Sequence, residues 1–484
     1  MATEEHGNRE RGKQPKQSRP HPDGKRRPRP KSSGQQEKRP PQRRRRKRRR
    51  RRRTITPAAL AMSAIVIVLA LVGFASALGK GSTAAQKPAR AETNVSGQEA
   101  SQQGTSKAPG TVSFCAVGDN IIGGEGDTSI NLLKLGNTWG GGKSGSYDFS
   151  PLYAKMKDTI SSYDIAFINQ ETVLAGDDNG SYSGYPSYNT PDEVASAIKD
   201  AGFDVVNFNS NHSYDMGAKG IEHAQKTWAK QDGVTLLGSY TSADDRKDIR
   251  VLERNGVKIA FLSYCCGLND SEQGTSTTND YYAVPFDKEK AQSEIKRAKE
   301  LADAVVVYMH WGDSFTTDIT DEQVEYGRFL AGQGVDLTIG SHADVIQTVS
   351  YVNRGIPTTD GSGANAYNGM LCVYGLGDFV SGSTVADRAL GGMFTCEFVR
   401  DDRGEITVAN PVWHGIIEHA EGDTDTVYLL KDYNESLAKK NKLLEQTSES
   451  ESSSTSNSSS STNPLEWAKK TTKEVVGDEI SVEV

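Results

Sequence analysis

Seven short apolar runs constrain this chain more than any other feature. They read VSFCAVGD (112–119), DIAFINQE (164–171), DVVNFNSNH (204–212), KIAFLSY (258–264), AVVVYMHWG (304–312), VDLTIGSHAD (335–344) and LCVYGLGDF (371–379). Runs of this length, rich in β-branched and aromatic residues, are expected as buried strands. Helical patterns lie between them. Thr190-Pro191-Asp192-Glu193 opens one helix, with Thr190 as N-cap and Pro191 at the first helical position, and Gly202 stops it. Thr320-Asp321-Glu322 opens another that runs to about Gly332, and residues 287–302 form a charged helical segment. Strands alternating with helices imply an α/β domain rather than an all-β shell. Beyond Gly391 the runs MFTCEFV, ITVANPVW and TVYLL follow without long helices, as a sheet edge or a second sheet would.

Charge divides the chain. Residues 1–53 carry 23 basic and 5 acidic residues, a net of +18, while the remainder carries 34 basic and 58 acidic, a net of −24. The divider is Ile55 to Leu78, 24 residues without a charge. At about 1.5 Å per residue such a helix spans a hydrocarbon core of about 30 Å with some tilt. Arg43 to Arg53, all Arg apart from Lys47, abuts it on the amino side. The positive-inside rule then places residues 1–53 in the cytoplasm as a disordered basic tail, 54–79 as a transmembrane anchor and everything after Lys80 outside. The competing reading is a signal peptide cleaved after Ala75-Ser76-Ala77; the long leader and the long apolar run favour a retained anchor. The Arg run fixes topology and faces anionic headgroups, so membrane lipids are expected partners. Nucleic acid is not, because no folded reader accompanies the tail.

Residues 80–110 read as an extracellular linker, 111–432 as the folded domain, and 433–484 as a Ser-rich, largely disordered tail whose last twenty-one residues have room for a short element. Five cysteines are scattered without a CxxC. Cys115, Cys372 and Cys396 lie in apolar runs and read as buried thiols, with a bridge such as Cys115–Cys372 as the alternative.

Chemistry gathers at the ends of the runs: Asp119, Glu171, Asn211 with His212, His310, His342 with Asp344, and Asp378. In an open α/β sheet ligands collect where strands end at their carboxyl side. Carboxylates, imidazoles and an amide oxygen suit Mn²⁺, Fe²⁺ or Zn²⁺. Taken singly, each residue has a plain structural explanation: an Asp after Gly118 caps a turn, and a strand-end His is more often a hydrogen-bonding partner than a ligand. Their joint recurrence is what points to a metal. His223, inside a helical pattern, reads as a surface or packing residue, and His414 and His419 carry no expected chemistry.

Gly118-Asp119, Asn169-Gln170-Glu171, Asn211-His212 with Asp215 and Gly217, His310-Trp311-Gly312, Gly340-Ser341-His342 and Tyr374 through Phe379 stand in the order seen in CapA-type capsule and poly-γ-glutamate synthesis proteins. Over residues 111–415 the chain resembles that family, whose members look like calcineurin-like metallophosphoesterases. The resemblance implies a two-sheet sandwich flanked by helices with a metal site at the strand ends. It implies Asp119, Glu171, Asn211, His310 and His342 as ligands, with Asp344 standing where the superfamily has a second histidine, and His212 as the proton donor to a leaving group. Asp119-Asn120-Ile121 departs from the superfamily's Asp-x-His, so one ion or two remain open. The implied function is a membrane-tethered, outward-facing part in the synthesis or export of an anionic surface polymer, with a metal-dependent hydrolase-like site acting on a phosphoester or on a bond in the polymer. The rival is a non-catalytic polymer-binding or accessory subunit of a membrane polymer synthase.

Overall fold

Residues Thr111–Asn120 form the first strand, β1, because its side chains find apolar surroundings on both faces. Phe114 and Ala116 enter one hydrophobic cluster, and Cys115 and Val117 enter another. Continuous apolar runs, rather than alternating ones, are the mark of a strand buried on both sides. The structure is a computed structural model and describes residues 110–123, 130–269, 279–353, 369–448 and 463–484. The basic tail, the expected anchor and the linker up to residue 109 lie outside the described residues. Among the described residues no helix is long and apolar enough to cross a membrane.

The later strands are β2 (Ile165–Gln170), β3 (Val205–Asn207), β4 (Thr235–Leu237), β5 (Arg250–Arg254), β6 (Val257–Cys265), β7 (Ala304–His310), β8 (Leu337–Ser341) and β9 (Val349–Asn353). They continue as β10 (Gly369–Val373), β11 (Asp378–Val380), β12 (Leu390–Arg400), β13 (Ile406–Glu421), β14 (Thr424–Leu429) and β15 (Ser481–Glu483). They form two sheets. The larger runs β14-β13-β12-β1-β2-β3-β4, with β11 beside β1 and β15 beside β13; the smaller runs β5-β6-β7-β8-β10-β9. Strands β1 to β4 are mutually parallel, as are β6, β7, β8 and β10. The runs after Gly391 complete the larger sheet as antiparallel strands.

The sheets share one apolar interior. Phe114, Phe167, Phe261, Tyr308, Ile339, Phe394 and Trp413 meet there. The outer face of the smaller sheet packs on the helices Lys288–Leu301 and Asp321–Gln333 through Ala291, Ile295 and Leu330. The outer face of the larger sheet packs on Glu193–Asp200 and Gly217–Trp228 through Val194, Ile198 and Ile221. The expected α/β two-sheet architecture is therefore present. Thr320 caps its helix in a reciprocal capping box with Gln323, and Gly334 ends it in the left-handed conformation.

Three expectations change. Thr190 does not cap the helix that begins at Glu193: its buried hydroxyl donates to Ile122 O at 2.8 Å and lies 2.8 Å from the Thr172 hydroxyl, which commits it away from the helix. LCVYGLGDF is not one strand but two in different sheets, β10 and β11, joined by a crossing in which Gly377 has φ +70°. The boundary at 432 is too early: Pro464–Val476 is a helix, and β15 pairs in parallel with Val412–His414 of β13. Buried Leu465, Ala468, Val476 and Ile480 join this segment to the domain, with Trp467 and Val475 packed beside them. All five cysteines are free thiols.

The crossing at Gly377 makes the site. Asp119 N–H donates to Gly377 O at 3.1 Å, and Asp119 and Asp378 are register partners on β1 and β11. A Cβ at Gly118 would stand 1.8 Å from Gly377 O, a backbone atom that cannot swing away. Gly118→Ala should therefore force β1 from β11 and cost about 3 kcal/mol or more in denaturant unfolding.

Candidate metal centre

Asp119 at the end of β1 is fully buried and held by donors from both sheets. Asn169 Nδ2 donates to its Oδ1 at 2.6 Å, the Ser341 hydroxyl donates to the same oxygen, and His342 N–H donates to Oδ2 at 3.2 Å. A buried polar chain supports them. Asn207 Nδ2 donates to Asn169 Oδ1 and Ser263 Oγ donates to Asn207 Oδ1, each at 2.6 Å, while the Tyr308 hydroxyl lies 2.8 Å from Ser341 Oγ. Sheets that pack through apolar faces are thus pinned at one edge by polar groups. His342 and Asp344, just after β8, have φ of +97° and +59°. Two non-glycine residues in the left-handed region cost of order 1 kcal/mol each and mark a place where side-chain aim overrides backbone preference.

Among the described residues, two groups bring their donor atoms within 4.8 Å of one another: Asp119–Glu171–His310 and Asp119–Asp344–Asp378. Asp119 belongs to both. Beside the first group, Asn211 Oδ1 and His310 Nε2 stand 2.9 Å apart, and the rings of His310 and His342 are 4.6 Å apart. The His342 ring lies outside both groups, and its backbone rather than its imidazole meets Asp119. His212 is set back. Its Nδ1 is 2.7 Å from Asp215 Oδ2, which also accepts the Tyr188 N–H at 2.8 Å, and the edge of Tyr188 packs on its ring.

Electrostatics favour a cation. Burial raises Asp119 to about 6, helped by the Asp378 charge and opposed by its three donors. Burial lifts Asp344 to about 6 and Asp378 to about 8, both against Arg388. Glu171 rises well above its usual range, through burial first and then the charges of Asp119, Asp344 and Asp378. The imidazoles go the other way. Burial, then His342 and His212, holds His310 well below its usual value, and burial brings His342 to about 4. Neutral imidazoles beside crowded carboxylates are a ligand set. Glu171 Oε2 and Asp378 Oδ1 are the sharpest signs, both buried with no hydrogen-bond partner. Such an oxygen costs several kcal/mol when ionised unless a cation meets it.

A second acid pair lies on β13 and β14. Glu418 accepts N–H bonds from Ser381 and Gly382, at 2.9 Å from the latter, while Asp425 finds no donor. Burial, then Glu418, raises Asp425 well above its usual value. A raised carboxyl gives stability that is full below its unfolded value of 3.8 and lost as pH climbs through the folded value. Asp425→Asn should match the parent near pH 4 and melt about 2–4 °C higher at pH 8, read by calorimetry.

Of the residues read from the sequence, Asp119, Glu171 and His310 are thus grouped at one edge of the sandwich, with Asn211 against His310. Asp378 belongs to the inner group although it was not counted among the expected ligands, its separation from Asp119 along the chain hiding the β1–β11 pairing. Arg388, which pairs with Asp378, lay in a stretch with no signal. His223 pairs with Asp192, His414 with Glu483, and His419 accepts or donates to the Tyr433 hydroxyl at 2.6 Å, all away from the centre.

Fold and site define a class: a two-sheet α/β sandwich that gathers carboxylates and imidazoles at the ends of its parallel strands. A family model described as bacterial capsule synthesis protein PGA_cap matches residues 113–383, more than half of the chain, and the chain belongs to that family. It is 31% identical over 192 residues to the PGA biosynthesis protein CapA of Bacillus subtilis (strain 168), covering 40% of this chain and 46% of that protein. It is 29% identical over 171 residues to the capsule biosynthesis protein CapA of Bacillus anthracis, covering 34% of this chain and 40% of that one. The chain thus spans less than half the length of these relatives. Among solved structures it is similar to the calcineurin-like phosphoesterase YfkN from Bacillus subtilis, at 13% identity and a TM-score of 0.36, covering 74% of this chain and 98% of that one.

Proposed function

We propose that this chain is a membrane-anchored, outward-facing protein that acts in synthesis or export of a capsule or poly-γ-glutamate type polymer through a divalent-metal, hydrolase-like site. The observation that carries the reading is the partnerless, buried Glu171 oxygen beside Asp119 and His310. Asp119, Glu171 and His310 would hold the ion, with Asn211 Oδ1 adjacent. Ligand atoms on one ion with bonds near 2.1 Å lie about 3 Å apart, which matches the 2.9 Å between Asn211 Oδ1 and His310 Nε2. The mixed oxygen and nitrogen set favours Mn²⁺, Fe²⁺ or Zn²⁺.

Bound there, the ion would supply Lewis acidity to a phosphoryl or carbonyl oxygen and a lowered pKa for water. His310 would ligate through Nε2, with Nδ1–H turned to the Tyr308 hydroxyl 3.0 Å away, which fixes its tautomer. His212 would donate a proton to the leaving group from Nε2. Asp215, 2.7 Å from Nδ1, orients that ring. Asn269 Nδ2, 3.4 Å from Nε2, would donate an N–H to that nitrogen once it is deprotonated.

The description of the family as a synthesis protein favours a second reading, in which the domain guides polymer and cleaves nothing. The residues 101–484, which keep β15, should be assayed with Mn²⁺ or Zn²⁺ on phosphodiesters and on poly-γ-glutamate. Metal-dependent turnover supports the enzyme; saturable polymer binding without turnover supports the accessory role and contradicts the first.

A further inference from the structure

The second acidic group already contains a cation. Arg388 sits in the short turn Ala386–Ala389, and its Nε and Nη2 both lie 2.9 Å from Asp378 Oδ2. Nη2 is also 3.8 Å from Asp344 Oδ2, and the ring of Phe315 lies 5.4 Å from the guanidinium carbon. We propose that the Arg388 guanidinium stands in for a second metal ion, so that the centre takes one divalent cation, on Asp119–Glu171–His310, and none on Asp119–Asp344–Asp378. This rests on the reading of the first group as a metal site.

Geometry opposes an ion on Asp378 Oδ2, which Arg388 already holds, and leaves Asp378 Oδ1, buried with no hydrogen-bond partner, as the oxygen that the test must address. An ion on Asp378 and Asp344 would sit about 2.0–2.2 Å from their oxygens. Two guanidinium nitrogens are already 2.9 Å from one of those oxygens and would be pressed against it. Arginine cannot yield by losing its proton. Burial works to lower its pKa, yet Asp378 and Asp344 outweigh burial and hold it above its ordinary value. Ligand type points the same way. The first group has an imidazole of its own and two more beside it, whereas the second is three carboxylates, of which Arg388 hydrogen-bonds Asp378 and stands 3.8 Å from Asp344. The crowding of Asp119, Asp344 and Asp378 is relieved by a charge that is permanent. The single ion would then share Asp119 with a fixed organic cation.

The test is stoichiometry. The full chain is loaded with excess Mn²⁺, freed of unbound metal, and measured for Mn per chain and by electron paramagnetic resonance. The parent should hold one Mn²⁺ with the spectrum of an isolated ion. Arg388→Met should hold two, with an exchange-coupled spectrum, because Asp119 touches both groups; Arg388→Lys should return to one. Two coupled ions in the parent would overturn the proposal and leave the metal reading intact. No bound Mn²⁺ in the parent would overturn the metal reading and this proposal with it. One ion in folded Arg388→Met would overturn the proposal alone. Asp378→Asn keeps Arg388 and tests the claim should Arg388→Met fail to fold: it retains its single ion if the proposal holds and loses it if the ion sits on the second group.

Discussion

Glu171→Gln should raise the melting temperature of the metal-free protein at pH 8 and erase the further rise that Mn²⁺ gives the parent. In the parent, Glu171 is a buried carboxyl with a partnerless oxygen beside Asp119, Asp344 and Asp378. Its pKa is raised, so its contribution to stability is full below the ordinary 4.5 and is lost as pH rises through the elevated value. A neutral amide of the same shape has no charge to desolvate, and the metal-free variant should gain about 1–3 kcal/mol at pH 8 relative to the parent. The gain should vanish near pH 4. With the ligand lost, Mn²⁺ at about a hundredfold over the parent's dissociation constant should stabilise the parent by about 2.7 kcal/mol and the variant hardly at all. Calorimetry at two pH values with and without metal separates these terms. A purely structural Glu171 would give a variant that is less stable at every pH.

His212→Ala should lower turnover about 10²–10⁴-fold while leaving the bound metal unchanged. The ring is nearly buried, yet its Nδ1 is committed to Asp215 at 2.7 Å, so Nε2 alone is free to serve a leaving group. Asp215→Asn keeps a side chain of the same size beside the ring but removes the carboxylate that faces its Nδ1. Its loss should be smaller, because the imidazole is still present and only its orientation is loosened. Metal analysis beside the rate profile distinguishes a proton donor from a ligand: equal losses of metal and turnover would assign His212 to the ion instead.

Much of this was legible in the chain because buried parallel strands announce themselves as continuous apolar runs. Six of the seven runs each hold one strand and the seventh holds two, and Asp119, Glu171, His310, Asp344 and Asp378, which lie at or just beyond strand ends, meet in two groups that share Asp119. What was not legible depends on contacts between distant segments. Asp378 reaches Asp119 only because Gly377 lets one apolar run leave the smaller sheet and join the larger. Arg388 follows a polar turn with no periodicity, and only its partners Asp378 and Asp344 give it meaning. Thr190 looked like a helix cap because local chemistry favours it there, but a buried hydroxyl pairing with Ile122 and Thr172 overrode that preference. The C-terminal helix was masked in composition by the Ser-rich stretch before it, although Leu465, Ala468 and Val476 keep an apolar stripe.

The most direct measurement is the anomalous diffraction of crystals of the Mn²⁺-loaded chain. The account predicts a manganese peak about 2.0–2.3 Å from one oxygen each of Asp119 and Glu171 and from a nitrogen of His310. Crystals grown in saturating Mn²⁺ that show those three side chains grouped as here, with no manganese between them, would contradict it.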